Sequence, residues 1–237
     1  MPESELSEDL QSLERKFRCT SEMCVMQSLG RKDLIAKYFK PVTKSYDNNH
    51  WLNNTEIDSV QFQLMQNYPG YHYSNIHMID LEMFDPSNDV DYTPENVKDI
   101  DFVKLINNGD LKTYGMVVNT DVSSGRGIHW FAIFIDARSP VITIEYFNSS
   151  GFDIKSRDFK MFFIKLADKI QRGTKRECKF IKVSDIQHQK STTSNCGVYA
   201  LFYLWKRLGG TPMEYFKDKK ISDEHVVTFR EFFFRLH

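Results

Sequence analysis

Eight consecutive residues, Val198 to Trp205 (VYALFYLW), are apolar or aromatic. A helix with no polar stripe has no face to give to water, so this one has to be buried on most sides, which a fold with layers packed around it provides. Its ends are marked. Ser194 or Asn195 can serve as N-cap, Lys206 and Arg207 fall in the last turn, and Gly209-Gly210 followed by Pro212 stops the helix.

This frame puts Cys196 in the first helical turn, where unpaired N–H groups and the helix dipole amount to roughly half a positive charge and favour a thiolate. Gly197 beside it has no side chain to block the approach of a substrate backbone, and the neighbouring N–H groups can point at an oxyanion. Position alone does not separate a nucleophile from a small core residue, because a free cysteine beside an apolar helix is more often the latter. A base is needed.

Composition limits the alternatives. The chain has 237 residues, 41% hydrophobic, enough for one domain with a full core and a smaller appendage. A net charge of −1 excludes binding of nucleic acid or membranes through bulk charge. The N-terminal MPESELSEDL is acidic and no run is long enough to span a bilayer, so a soluble, intracellular protein is expected. Four cysteines without regular spacing do not form a disulfide framework, which suits a reducing compartment.

Periodicity predicts helices over residues 5–17 and 21–39, then a Pro- and Asn-rich stretch, KPVTKSYDNNHWLNNTE, that marks a boundary near Asp47. Residues 1–47 are thus expected to form a helical arm and 48–237 the core domain. In the core, the pattern predicts a helix over 57–67, a short strand over 76–81, a polar loop over 85–95 and three strands in YGMVVNT, HWFAIFID and VITIEYFN. A helix over 157–171, a strand over 178–183 and closing helices over 211–216 and 223–236 complete an α+β fold, a central mixed sheet packed by helices.

His129 stands at the head of HWFAIFID, just after SSGRG, which reads as flexible. If the turn ARSP joins this strand to VITIEYFN as a hairpin centred between Arg138 and Ser139, His129 faces Asn148. Facing residues share a side of the ladder with β-carbons about 5 Å apart. The Asn148 oxygen could then accept the imidazole Nδ1–H and leave Nε2 toward the thiol, giving nucleophile, base and orienter. Each has a plainer reading, as a strand histidine and as the first residue of an NSSG turn. Gln189, seven residues before Cys196, could add an oxyanion donor, with Gln187 as fallback.

In this order, His-Trp, IEYFNSSG and Gln-x6-Cys-Gly resemble the adenain and SUMO-deconjugating clan of cysteine proteases, and within it the polyprotein-processing proteases of African swine fever virus. VVNTDVSSGRGIHWFAIFIDARS, HQKSTTSNCGVYALFY and ISDEHVVTFREFFFR carry the likeness, which is strong over 114–237 and thin in the arm. The Gln-to-Cys spacing is one residue longer than in the swine fever enzymes.

The resemblance implies Cys196 as nucleophile, His129 as base, Asn148 as orienter and Gln189 as oxyanion donor, with no cofactor and no metal. It also implies viral polyprotein substrates cut at Gly-Gly-Xaa sites, virion core or shell proteins as further partners, and action at assembly sites in the host cytoplasm and in the virion. A slot roofed by Trp130 would admit only residues without side chains. Competing readings are a deconjugase for ubiquitin-like proteins and a silent binding protein of the same fold. A zinc site from Cys19, Cys24, His72 and His77 is disfavoured, since the two pairs lie far apart in sequence. The basic KIQRGTKRECK reads as a solvated helix end, and no nucleic-acid or membrane partner is expected.

Overall fold

The computed structural model describes residues 12–13, 15–18, 25–26, 28–31, 39–81 and 97–236. Of the two helices expected in the arm, helical backbone is present at 12–13, 15–17, 25–26 and 28; the helix expected over 21–39 is interrupted by a turn at 29–30, where Gly30 takes φ +67, and the remaining arm positions lie largely outside the described residues, as does the polar loop expected over 85–95.

Three strands at the centre read as apolar runs and are buried at nearly every position: β4 (Thr113–Asn119), β5 (Trp130–Asp136) and β6 (Ile142–Phe147). They pair antiparallel in chain order, β5 in the middle. β7 (Cys178–Lys182) adds parallel to β6, and β2 (Tyr71–Tyr73) and β3 (His77–Met78) add parallel to β4, so the sheet is mixed as expected. Side chains that alternate along these strands feed two hydrophobic clusters. Val117, Ala132 and Phe134 join one; Met116, Val118, Ile133 and Ile135 join the other.

The second cluster is covered by α2 (Phe102–Asn108) and α3 (Arg157–Thr174), whose Phe159, Phe163 and Ile170 are fully buried. α2 goes unpredicted although its ends are marked: Asp101 caps Lys104 N–H, and Gly109 closes it in the left-handed region. α1 (Asn54–Asn67) starts three residues before the expected helix because Asn53 and Glu56 form a reciprocal capping box.

The first cluster holds α4 (Cys196–Leu208), the apolar helix of the sequence. Val198 to Leu204 are at most 1% exposed, which confirms burial all round. α1, α5 (Glu214–Asp218) and α6 (Asp223–Phe233) contribute to the same cluster. The far end of α4 is locked by charge. Arg207 donates from Nε and Nη2 to the two oxygens of the fully buried Glu145, both at 2.7 Å, and reaches Asp136 at 3.1 Å. The Tyr203 hydroxyl also bonds Glu145. Here Arg207, expected in an ordinary last turn, becomes a buried strut.

The chain closes differently from the expected single helix over 223–236. α6 ends at Phe233, and β8 (Arg235–Leu236) pairs in parallel with β1 (Val42–Thr43). Ser194 N–H also donates to Asn48 O, so residues 42–48 form a strap bound to the core. The division into an arm, 1–47, and a core, 48–237, remains our proposal, with this strap at its joint. Among the described residues no helix is long and apolar enough to cross a membrane.

Candidate active site

Cys196 opens α4, 3% exposed, with Asn195 in the N-cap position. The expected cap is in place but makes no capping bond. The first-turn N–H groups are therefore left without a side-chain cap, and the backbone N–H groups of Trp130, Gly197 and Cys196 itself favour the thiolate. Burial nonetheless pushes the thiol above its ordinary range, against those three donors and the charge of Arg230. The helix terminus moderates this effect without overcoming it.

Trp130, whose ring lies against Gly197, follows His129, and so the lead of β5 passes beside the head of α4. The half-buried His129 sits one residue before β5, its carbonyl held by Thr120 N–H at 2.8 Å. The loop before it, expected to be flexible, is pinned by side-chain acceptors. Asp80 takes Ser123 N–H and Oγ–H, Asp121 takes Gly127 N–H, and Asn119 takes Ile128 N–H.

His129 and Asn148 meet, with Nε2 at 2.7 Å from Asn148 Oδ1. The route differs from the expected one in two ways. The ladder pairs Ala132 with Phe147, a slip of two residues that makes His129 and Asn148 diagonal rather than facing. The connection runs over residues 137–141 because Arg138 folds back on Asp136 and Arg176 holds Ala137 O, opening the turn. An even slip preserves the side of the sheet, so the pair survives the error.

The second difference is the nitrogen. Nε2 carries the hydrogen to Asn148, so Nδ1 is the free lone pair, the reverse of the expected tautomer. The Asn148 amide is oriented by its other end, where Nδ2 donates to the Tyr146 hydroxyl at 2.9 Å and that hydroxyl donates to Phe152 O at 3.0 Å. Oδ1 also accepts from Ser150 N and Oγ. Asn148 thus starts the NSSG turn and holds the imidazole at once. Gly151 closes the turn at φ +74, where a β-carbon would lie 2.7 Å from Asp185 O, so only glycine fits. Burial lowers the His129 pKa, opposed by the bond to Asn148. Burial thus disfavours the imidazolium and the thiolate alike in the free site.

Gln189 is buried, whereas Gln187 is exposed. Its amide is anchored next to Asn148: Oε1 accepts from Ser149 Oγ at 2.9 Å, and Nε2 donates to Thr193 O at 2.7 Å with one hydrogen to spare. The space beside Gly197 is not open as expected. A β-carbon there would meet Leu52 at 3.2 Å and the Trp130 ring at 3.3 Å, and Trp130 Nε1 donates to Leu52 O. Gly197 therefore lets the indole pack onto the helix.

Sequence reasoning missed Tyr146, Ser149, Leu52 and Arg230. Their contacts depend on long-range packing for which spacing gives no signal. Of the disfavoured zinc set, Cys19 and Cys24 lie outside the described residues, while His72 bonds Asp110 O and His77 bonds Ser74 Oγ. Among the described residues no group of His, Cys, Asp and Glu is arranged to hold a metal.

No family model matches the sequence. A SUMO-1 cysteine protease of African swine fever virus (a Warthog isolate) is 30% identical, over 99% of this chain and 89% of its own. The crystal structure of the African swine fever virus pS273R protease superposes with a TM-score of 0.76 at 25% identity, covering 98% of this chain and 90% of that one. The SUMO protease Ulp1 shares the fold alone, with a TM-score of 0.50 at 13% identity over 79% of this chain and 77% of its own. An Ulp1-like α+β fold with a buried thiol at a helix head and a histidine-asparagine pair at the adjoining strand ends defines a cysteine protease. Identity at that level along nearly its whole length places it further: the chain belongs to the pS273R family of viral cysteine proteases.

Proposed function

We propose that this protease is an endopeptidase that cuts viral structural polyproteins after Gly-Gly during virion assembly. Cys196 acts as nucleophile, His129 as base, Asn148 as orienter and Gln189 as oxyanion donor. The observation that carries this reading is the 2.7 Å bond from His129 to Asn148 beside a strand whose Trp130 ring lies against Gly197, next to Cys196 at the head of α4.

In this reading, Nδ1 of neutral His129 takes the thiol proton as Sγ attacks the scissile carbonyl. Asn148 holds the ring but cannot neutralise the imidazolium, so the step relies on the thiolate formed beside it. The Cys196 N–H and the spare Gln189 N–H face the carbonyl oxygen as it gains charge. His129 then returns the proton to the leaving amine, and water hydrolyses the thioester.

Trp130 bounds the narrow part of the substrate channel in this proposal, and Gly197 serves it indirectly by letting the indole pack against α4. The indole is pinned between Leu52 and the helix, which leaves it no freedom to retreat from a side chain on the substrate. Matched Gly-Gly-Xaa and Ala-Ala-Xaa peptides should differ at least 10²-fold in kcat/KM. Equal rates would remove the Gly-Gly specificity while leaving the protease. A ubiquitin-like vinyl-sulfone probe that labels Cys196 faster than a Gly-Gly peptide probe would favour the deconjugase.

A further inference from the structure

Arg230 on α6 is fully buried, and its guanidinium meets neutral acceptors. Nε and Nη2 donate to Asn195 Oδ1 at 3.2 and 2.8 Å, and Nη2 also reaches His50 O at 2.7 Å. Among the described residues nothing accepts from Nη1 and no carboxylate pairs with the group. Glu56 and Asp47 favour its charge without bonding to it, so its burial is compensated only in part, and groups kept in that state mark functional sites. Arginine stays protonated in proteins, so the charge is permanent.

Its main partner is Asn195, the residue just before the nucleophile. Asn195 would normally cap α4, yet its oxygen is held by Arg230 and its amide N–H groups go to Asn48 and Asp223. Because this side chain is drawn away, the first-turn N–H groups stay free for the Cys196 sulfur. We propose that Arg230 is the positioning residue of the nucleophile: it pulls the N-cap side chain off the helix head and places a buried, permanent positive charge against the residue next to Cys196.

The other charged or titratable groups around this point come from every neighbouring element. His129 leads β5, Glu56 on α1 bonds His50, Asp47 lies in the strap, and Asp223 on α6 holds Asn195. Arg230 and Cys196 act on each other electrostatically, each favouring the charged form of the other. A unit charge several ångströms away at an effective dielectric near 20 moves a thiol titration by about one pH unit.

The test is the pH dependence of iodoacetamide alkylation of the full chain, with the site located by peptide mass and Cys196→Ala as blank. In Arg230→Gln and Arg230→Met the Cys196 midpoint should rise by about one pH unit. Alkylation at pH 7.5 should slow about threefold, since a more basic thiolate is also the better nucleophile. Arg230→Lys should keep the wild-type midpoint. If a folded neutral variant follows the wild-type profile, the proposal fails; if neither neutral variant folds, Arg230 is a strut and it fails as well. The inference rests on the reading of Cys196 as nucleophile, and the two failures differ. A wild type that neither cleaves peptide nor labels at Cys196 removes that reading, whereas one that does both, beside unshifted variants, removes only the role of Arg230.

Discussion

One oxygen, Asn148 Oδ1, accepts from His129, Ser150 N and Ser150 Oγ, and its amide partner is fixed by Tyr146. That wiring decides which imidazole nitrogen is the base. The lowered His129 pKa keeps the imidazole neutral as pH falls below 6.5, so the acid limb of kcat/KM should have its midpoint under 6.5. Asn148→Asp would place a carboxylate on Nε2–H and stabilise the imidazolium. The sign is then reversed, and the limb should move to higher pH by about one unit in a pH-rate profile on a Gly-Gly peptide. A limb that stays put would show that Asn148 does not orient the base. At this scale the residue types and the meeting of His129 with Asn148 were legible in the sequence. The tautomer was not, because it depends on Tyr146 and the turn behind the amide rather than on spacing.

At the scale of elements, α4 is held at its head by backbone and side-chain contacts and at its tail by the Arg207, Glu145 and Asp136 cluster on the sheet. Removing the arginine leaves the buried Glu145 charge without a cationic partner, so Arg207→Ala should cost about 3–5 kcal/mol. In thermal unfolding this is a fall of roughly 10 °C, and a fall within 2 °C would show that α4 does not need the cluster. The apolar run and its stop signals made α4 readable, and the alternation and turn residues did the same for β4 to β6. α2 was hidden by its seven residues, too few for periodicity to register, and β1 and β8 by their two residues each. The hairpin register was misread because Arg138 and Arg176 open the turn through side-chain bonds that a turn rule does not contain.

For the whole molecule, three layers bring four distant parts of the chain to one point: the strap before α1, the lead of β5, the turn after β6 and the head of α4. Order along the sequence indicated the last three. The strap and Arg230 on α6 were invisible, since they reach the site by closing the chain ends together. The central claim, that Cys196 is the nucleophile activated by the His129–Asn148 pair, is tested most directly by a Gly-Gly peptidyl vinyl sulfone and mass location of the adduct. One adduct on Cys196 is expected, formed at least 10²-fold more slowly in His129→Ala. An adduct on Cys178, or undiminished labelling of Cys196 without His129, would contradict it.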